Sequence, residues 1–553
     1  MIRRSLGTFK RFLLVIAIAM CVQQQAVLRS AEAEPKVYDV VLRGGTIHRG
    51  DGGEPQVGDI GIEDGKIARI AAGGELQGDL QGELKGDHQG VLQGELEIDC
   101  KGLVVAPGFI DLHNHSDDPI LDRDTRLNAN YLLQGCTTIV TGNCGSGHVD
   151  VGTFLDKVDK QRAGTHVAHL IPQGSLRKEV LGSSRREPTE QELAKMLELA
   201  DKGMRDGAFG MSTGLIYVPG TFTSTEELIK LAKVVAKHQG IYASHIRSEG
   251  AELLESIDEA VRIGREAGLP VHISHLKASG KSNWGSLRLG VRRIEEARAS
   301  GLRVTADQYP YTASSTSLEA TLFPDWSREG GNDELKKRLS DPEATAKIRK
   351  SIVSKLADSE RIQLVSCEHN RAWIGKSLDE VAALEKSEPA DIAIRIQQDS
   401  GASVINFGMN EDDMRMAMPI EWVATASDGG AKVPTSALPH PRSFGTFPRK
   451  IGRYAIGEKV LTLAQAIRSS SSLPADILGL TDRGRIAEGL VADIAVFDPK
   501  SFQDQATFES PYLPNLGIVH VLVGGRPAVY AGQVTGVLSG KALRKAPRPE
   551  PAG

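Results

Sequence analysis

Two kinds of hydrophobic pattern divide this chain. From Val37 to Ala106 short apolar runs are broken by glycine: Tyr38-Asp39-Val40-Val41-Leu42 precedes Gly44-Gly45, and Asp59-Ile60-Gly61-Ile62 precedes Asp64-Gly65. Runs of this kind predict short strands joined by tight turns. The same pattern returns beyond Leu480, at Val491–Phe497 and at Ile518–Val523 before Gly524-Gly525. The two ends are therefore expected to pair into one small β domain. Between them the period changes. Thr189 with Glu192 predicts a capped helix running to Gly203, and Ser224 with Glu227 repeats the signal ahead of Leu228, Leu231, Ala232 and Val235. Strands are predicted at Ile241–His245, Val271–His275 and Leu302–Ala306. Helices fall between and after them at Ala251–Gly268, with Leu254, Ile257 and Val261 on one face, and at Gly285–Gly301. Strands alternating with helices at this rhythm imply βα units around a parallel sheet, so the fold class is α/β.

Length and composition refine this picture. At 553 residues the chain suits an α/β barrel with an added domain. The expected division is 34–106 and 481–541 for the β domain, 107–480 for the barrel, 323–361 for a charged, helix-rich insertion over it, and 542–553 for a disordered tail. Within the first part, 74–97 repeats Leu-Gln-Gly and Glu-Leu and reads as a solvated loop expansion. A formal net charge of -5 offers no basic field, which argues against nucleic acid as a partner. Arg3, Arg4, Lys10 and Arg11 flank the apolar run Phe12–Val22, and Ala31-Glu32-Ala33 follows. That order predicts a signal peptide over 1–33 and an exported protein, periplasmic or extracellular, with an uncleaved anchor or lipid attachment at Cys21 as the alternatives. Four further cysteines, widely spaced, do not make a disulfide framework.

The strongest chemical signal is Gly108-Phe109-Ile110-Asp111-Leu112-His113-Asn114-His115. On a strand, His113 and His115 would point to the same face, and imidazole is the commonest metal-binding side chain. Cys144 follows the β-branched run Thr137–Thr141 between two glycines, and thiolate suits zinc. His245, His275 and Asp428 each end a predicted strand. The C-terminal strand ends of an α/β barrel share one mouth, so these six residues are expected to converge there.

The motifs GFIDLHNH, GNCG, SHIRSEG, SHLKASG, ASDGG and PHPRSFGTFPR occur in this order between Val37 and Gly540. Together they resemble the metal-dependent amidohydrolase superfamily and, more narrowly, the N-acyl-D-amino-acid deacylases (D-aminoacylases). The resemblance implies a (β/α)8 TIM-type barrel with a small β-sandwich domain made from both chain ends. It implies Cys144, His245 and His275 as ligands of a tightly held zinc ion, with His113 and His115 at a second, weaker position. It implies Asp428 as the catalytic acid and base. Lys277, Tyr309 and Arg442 fall in segments that, in that family, bind the substrate carboxylate. The implied partner is a small N-acyl amino acid. The implied reaction is hydrolysis of its amide bond, with related activities on cyclic amides or on D-configured or isoaspartyl dipeptides as the alternative. Gly210-Met211-Ser212-Thr213-Gly214 also fits the G-x-S-x-G pattern of serine hydrolases, but Leu215–Gly220 is a poor helix start where that pattern needs one.

Overall fold

The computed structural model describes residues 38–72 and 96–546. The expected signal segment with Cys21, nearly all of the low-complexity stretch and residues 547–553 lie outside the described residues. Among the described residues no helix is long and apolar enough to cross a membrane.

Both chain ends enter one nine-stranded sheet. Its order runs Gln533–Val534, Arg526–Tyr530, Ile518–Val523, Ile494–Phe497, Val104–Pro107, Val40–Ile47, Gln56–Glu63, Lys66–Ala72, with Leu96–Asp99 beside Val40–Ile47. Ile494–Phe497 lies antiparallel to Val104–Pro107, and this pair joins the two ends. Leu96 and Glu97, expected at the close of the solvated loop, are instead in register with Val40 and Val41. Val40, Leu42, Ile60, Ile62, Ile494 and Leu522 pack together as one apolar core, the burial that makes the sheet stable.

Between these ends the strands are parallel. One sheet holds Phe109–Asp111, Cys136–Thr141 and His166–His169. A second holds Ile171–Pro172, Gly210–Gly214, Ile241–His245, Val271–Ile273, Val304–Gln308 and Val423–Thr425, in that order. Every residue of Cys136-Thr-Thr-Ile-Val-Thr141 is buried, as strands covered on both faces require, and its β-branched side chains suit that place. Hydrogen bonds cross between the two sheets at one seam (Phe209 N to His169 O, 3.0 Å) and at the other (Asp428 N to His113 O, 2.9 Å; His115 N to Gly429 O, 2.7 Å). The helices between them follow the sequence signals. Thr189 and Glu192 form a full capping box, while Ser224 accepts from Glu227 N without the reciprocal bond. The helix Leu253–Ala267 buries Leu253, Ile257, Val261 and Gly264 against the sheet, so Leu253 takes the place expected of Leu254.

Two expected boundaries move. The helix-rich insertion predicted at 323–361 is part of a larger unit. Ser314–Ser317, Arg361–Cys367 and Ala402–Phe407 form an antiparallel sheet, and helices at Leu318–Leu322, Pro342–Ala357 and Pro389–Asp399 share an apolar core with it. Amphipathic helices need a surface to cover, and here the flanking strands supply it. The tail predicted to be disordered from 542 is held as far as 546. Leu543 N donates to Val167 O at 2.7 Å, Lys545 N to Gly207 O at 2.9 Å, and Arg544 pairs with Asp156 and Asp159 at 2.8 and 2.6 Å.

Asp493 locks the two layers together. It is buried, 3.2 Å from His166 Nε2 and 2.7 Å from Arg483 Nη1, and it accepts Gly524 N–H at 2.8 Å. Burial disfavours its charge, but His166, Arg483 and the Gly524 N–H outweigh this and hold its pKa below the usual carboxylate value. A carboxylate depressed in the fold contributes stability above its unfolded pKa of about 4, and loses it as pH falls through the folded value. Asp493→Asn is expected to lower stability at pH 7 by about 2 kcal/mol, because Arg483 keeps only Asp482 and the buried His166 loses its carboxylate. Denaturant unfolding at pH 7 and at pH 3 checks this: the gap between wild type and variant should narrow at the lower pH.

Candidate metal centre and active site

The residues singled out from the sequence lie at the C-terminal ends of the parallel strands. His245 is the last residue of its strand, while His275 and Asp428 stand two and three residues beyond theirs. The strand Phe109–Asp111 stops before His113, so the histidine pair sits in the turn after it. The two rings still converge, their centroids 5.2 Å apart. Cys144 follows its strand through Gly142, whose φ is +75° and where a Cβ would lie 2.1 Å from Leu170 O. Cys144, His275 and Asp428 themselves have φ of 51°, 37° and 53°. Non-glycine residues rarely adopt this region, and such strain gathers where a side chain must be aimed.

The side chains form one buried cluster. Donor atoms of His113, Cys144, His275 and Asp428 lie within 4.8 Å of one another. Cys144 Sγ is 3.1 Å from His113 Nε2, 3.5 Å from His245 Nδ1 and 3.7 Å from His275 Nε2. Asp428 Oδ1 is 3.1 Å from His115 Nε2 and 3.4 Å from His113 Nε2. Burial disfavours the thiolate, but His113, His115 and His245 outweigh it and draw the Cys144 pKa well below its ordinary value. Asp428 is likewise held low against burial by Arg442, His113, His275 and a hydrogen bond from His115. His113 is raised well above its usual value against burial by Cys144, Asp428 and Asp307, and His115 reaches about 9 through Asp428 and Cys144. The thiolate and carboxylate are thus balanced by His113 and His115, whereas burial and the neighbouring His275 lower the pKa of His245. Zinc bound tetrahedrally by sulfur and nitrogen spaces those atoms about 3.6 Å apart, which the Cys144 distances to His245 and His275 match. His245 Nε2, buried, has no hydrogen-bond partner. The donor set therefore fits a zinc ion.

Three carboxylates to which the sequence assigned no role hold this geometry, Asp111 and Glu249 from within the motifs and Asp307 from outside them. Asp111 accepts Ser427 N–H at 2.8 Å, Ser427 Oγ–H at 2.6 Å and Asn114 Nδ2–H at 2.8 Å, tying the strand end before His113 to the residue before Asp428. Burial raises its pKa to about 6. Asp307 accepts His275 N–H at 2.7 Å, while its other oxygen is 2.8 Å from His272 Nε2 and 3.5 Å from His113 Nδ1. Outer contacts of this kind orient ligating imidazoles. Glu249 is 2.8 Å from His275 Nδ1 and forms a further donor group with His245 and His275. In the sequence it stood only within the SHIRSEG segment, four residues after His245, with no role of its own.

The expected substrate-binding residues separate. Arg442 lines a cavity of about 410 Å³ together with His115, Cys144 and Asp428. Its Nη1 is 2.8 Å from Asp428 Oδ2, and Nη2 donates to Ser315 O at 3.1 Å. Lys277 lies outside that lining. Its Nζ is 2.5 Å from Glu249 Oε1 and 2.7 Å from His275 Nδ1. Tyr309, also buried, places its ring 5.0 Å from the Arg442 guanidinium and 5.6 Å from the Lys277 amine. Ser212 supports the thiol loop: it accepts Gly145 N–H at 2.9 Å and donates to Gly142 O. It lies in the middle of the strand Gly210–Gly214 and no helix starts straight after it, so it lacks the setting of a serine nucleophile.

Comparison with known proteins places these observations. The model of the amidohydrolase family matches residues 96–529. The D-aminoacylase of Alcaligenes xylosoxydans xylosoxydans is 32% identical over 538 residues, covering 93% of this chain and 99% of that one. A crystal structure of D-aminoacylase superposes with a TM-score of 0.77 at 30% identity, over 92% of this chain and all of the other. That of N-acyl-D-glutamate deacylase from Bordetella bronchiseptica, complexed with zinc and a phosphonate mimic of the tetrahedral intermediate, gives 0.76 at 30% identity with the same coverage.

Proposed function

The chain belongs to the amidohydrolase family and is an enzyme acting on linear amides, and from that premise we propose that it hydrolyses N-acyl-D-amino acids to a carboxylate and a free D-amino acid. The observation that carries this reading is the position of Asp428. Its carboxylate lines the cavity, stands within hydrogen-bond reach of His115, and shares one buried donor cluster with His113, Cys144 and His275.

Cys144, His245 and His275 are assigned to one tightly held zinc ion, with His113 and His115 beside it at a weaker second position. Bound there, zinc supplies Lewis acidity toward the amide carbonyl and toward the attacking water. Asp428, ionised at neutral pH because Arg442 and the histidines hold its pKa low, takes a proton from that water. It then returns the proton to the departing nitrogen, because an amide anion is too basic to leave unaided. Arg442 at the cavity wall receives the α-carboxylate of the substrate, and the Tyr309 ring beneath it steadies the guanidinium. Fixing that carboxylate sets which hand of substrate presents its amide to the reacting groups. In the same reading the parallel strands, eight when His166–His169 and Ile171–Pro172 count as one strand broken at Leu170, close as a (β/α)8 barrel hydrogen-bonded at both seams. The nine-stranded sheet folds over as the sandwich, and residues 1–33 direct export to the periplasm or beyond.

Paired N-acetyl-D- and N-acetyl-L-amino acids test the proposal. Free amino acid is expected from the D series alone. Chelation should reduce the rate to below about 1%, and added zinc should restore it. Zinc-loaded protein that releases nothing from either hand would refute the reading.

A further inference from the structure

We propose that Lys178 selects substrates bearing a second carboxylate, in addition to the one that Arg442 receives; this rests on the deacylase reading above. The two D-aminoacylase and N-acyl-D-glutamate deacylase structures are equally similar to this chain at 30% identity, so resemblance leaves the preferred side chain open. The cavity itself is informative.

Lys178 belongs to the helix Gln173–Leu181 and lines the cavity that reaches Asp428. Of the site's other cations, Arg442 stands against Asp428 and takes the first carboxylate, and Lys277 is held by Glu249. Among the described residues the Lys178 amine has no ion-pair partner, and Asp428 is the one carboxylate in the cavity lining. The rest of the wall points the same way. Ser146, Ser175, Ser315 and Thr316 present hydroxyls, whereas the aliphatic lining is Val218 and Pro219, without Leu, Ile, Met or Phe. An apolar side chain gains from leaving water only where apolar surface receives it. A carboxylate needs what is present here, a cation and neutral donors. Beyond Lys178, Tyr217 and Val218 a smaller cavity of about 220 Å³ continues toward Arg328, with Glu319 and Asn332 on its walls. Arg328 is 4% exposed and bonds Asp325 and Ile216 O, while its Nε has no hydrogen-bond partner. Arg328 is held by Asp325 and Glu319 lines that second cavity, so Lys178, which lines both, is the cation left to an anionic group.

The second carboxylate has two sources: the amino-acid side chain, as in N-acetyl-D-glutamate, or the acyl group, as in N-succinyl-D-leucine. The zinc-loaded full chain is assayed for kcat/KM on these two and on N-acetyl-D-leucine, as wild type, K178M and K178R. Wild type is expected to favour at least one dicarboxylate over N-acetyl-D-leucine by more than tenfold, and the favoured one locates the second carboxylate. K178M should reduce that preference at least fivefold, mainly through KM, and K178R should keep most of it. Lys178 is exposed on a helix surface, so neither change threatens folding. Wild type that prefers N-acetyl-D-leucine to both dicarboxylates, or a preference unchanged in K178M, overturns the assignment while leaving the deacylase reading intact. Absence of cleavage of all three substrates overturns both.

Discussion

Asp428→Asn is expected to lower kcat about 10³- to 10⁴-fold with little change in KM, since a positioned acid–base group contributes on this order and Asp428 is assigned both proton transfers. Asparagine keeps the shape and one acceptor oxygen, but it neither takes a proton from water nor gives one to nitrogen. The substitution also removes the negative charge that stands 2.8 Å from Arg442 and 3.1 Å from His115. Because Asp428 stands in the donor cluster, metal content must be measured beside the rate. Full metal with lost turnover assigns the proton role. Metal lost in parallel with the rate would instead make Asp428 a holder of the ion, and turnover near wild type would remove it from the chemistry.

Cys144→Ala comes second in expected size. The thiol stands within 3.7 Å of three imidazole nitrogens, so its removal takes away the atom they share and the negative charge that raises His113. Zinc content after dialysis should fall, and kcat/KM should drop more than about 100-fold, beyond the range seen for losing an outer contact. Cys144→Ser, with a poorer zinc donor of similar shape, should fall between. Elemental analysis and steady-state kinetics on the same preparations check both. An alanine variant that retains its metal and its rate would place the ion elsewhere.

Much of this site was legible in the sequence because its ligands follow local rules. A β-branched run ending in Gly142-Asn143-Cys144 marks a strand and its turn wherever it occurs, and His245 falls where the strand Ile241–His245 ends. Boundaries were less secure. The strand expected at Leu302–Ala306 is Val304–Gln308, and that shift carries Asp307 into the strand end, where it reaches His275 N and His272. Asp111 was read only as part of a motif. Its function as a clamp depends on Ser427, 316 residues later. Lys277 was expected at the substrate and is found against Glu249, a partner 28 residues away that no local period indicates.

By itself the sequence determined the kinds of donor atom, the strand ends that carry them and the alternation that makes the sheet parallel. These follow from side-chain chemistry and short-range backbone preference. Only the tertiary structure decided which of those groups meet. Asp428 reaches His115 across 313 residues because two sheets join at that seam, and Arg442 rather than Lys277 faces the cavity because the helix after Pro441 turns it there. The inserted unit spans 314–407 because its strands pair with one another, adding Ser315 and Thr316 to the cavity wall. Contacts between distant residues are fixed by how whole faces bury against each other, and no local stretch of sequence carries that information.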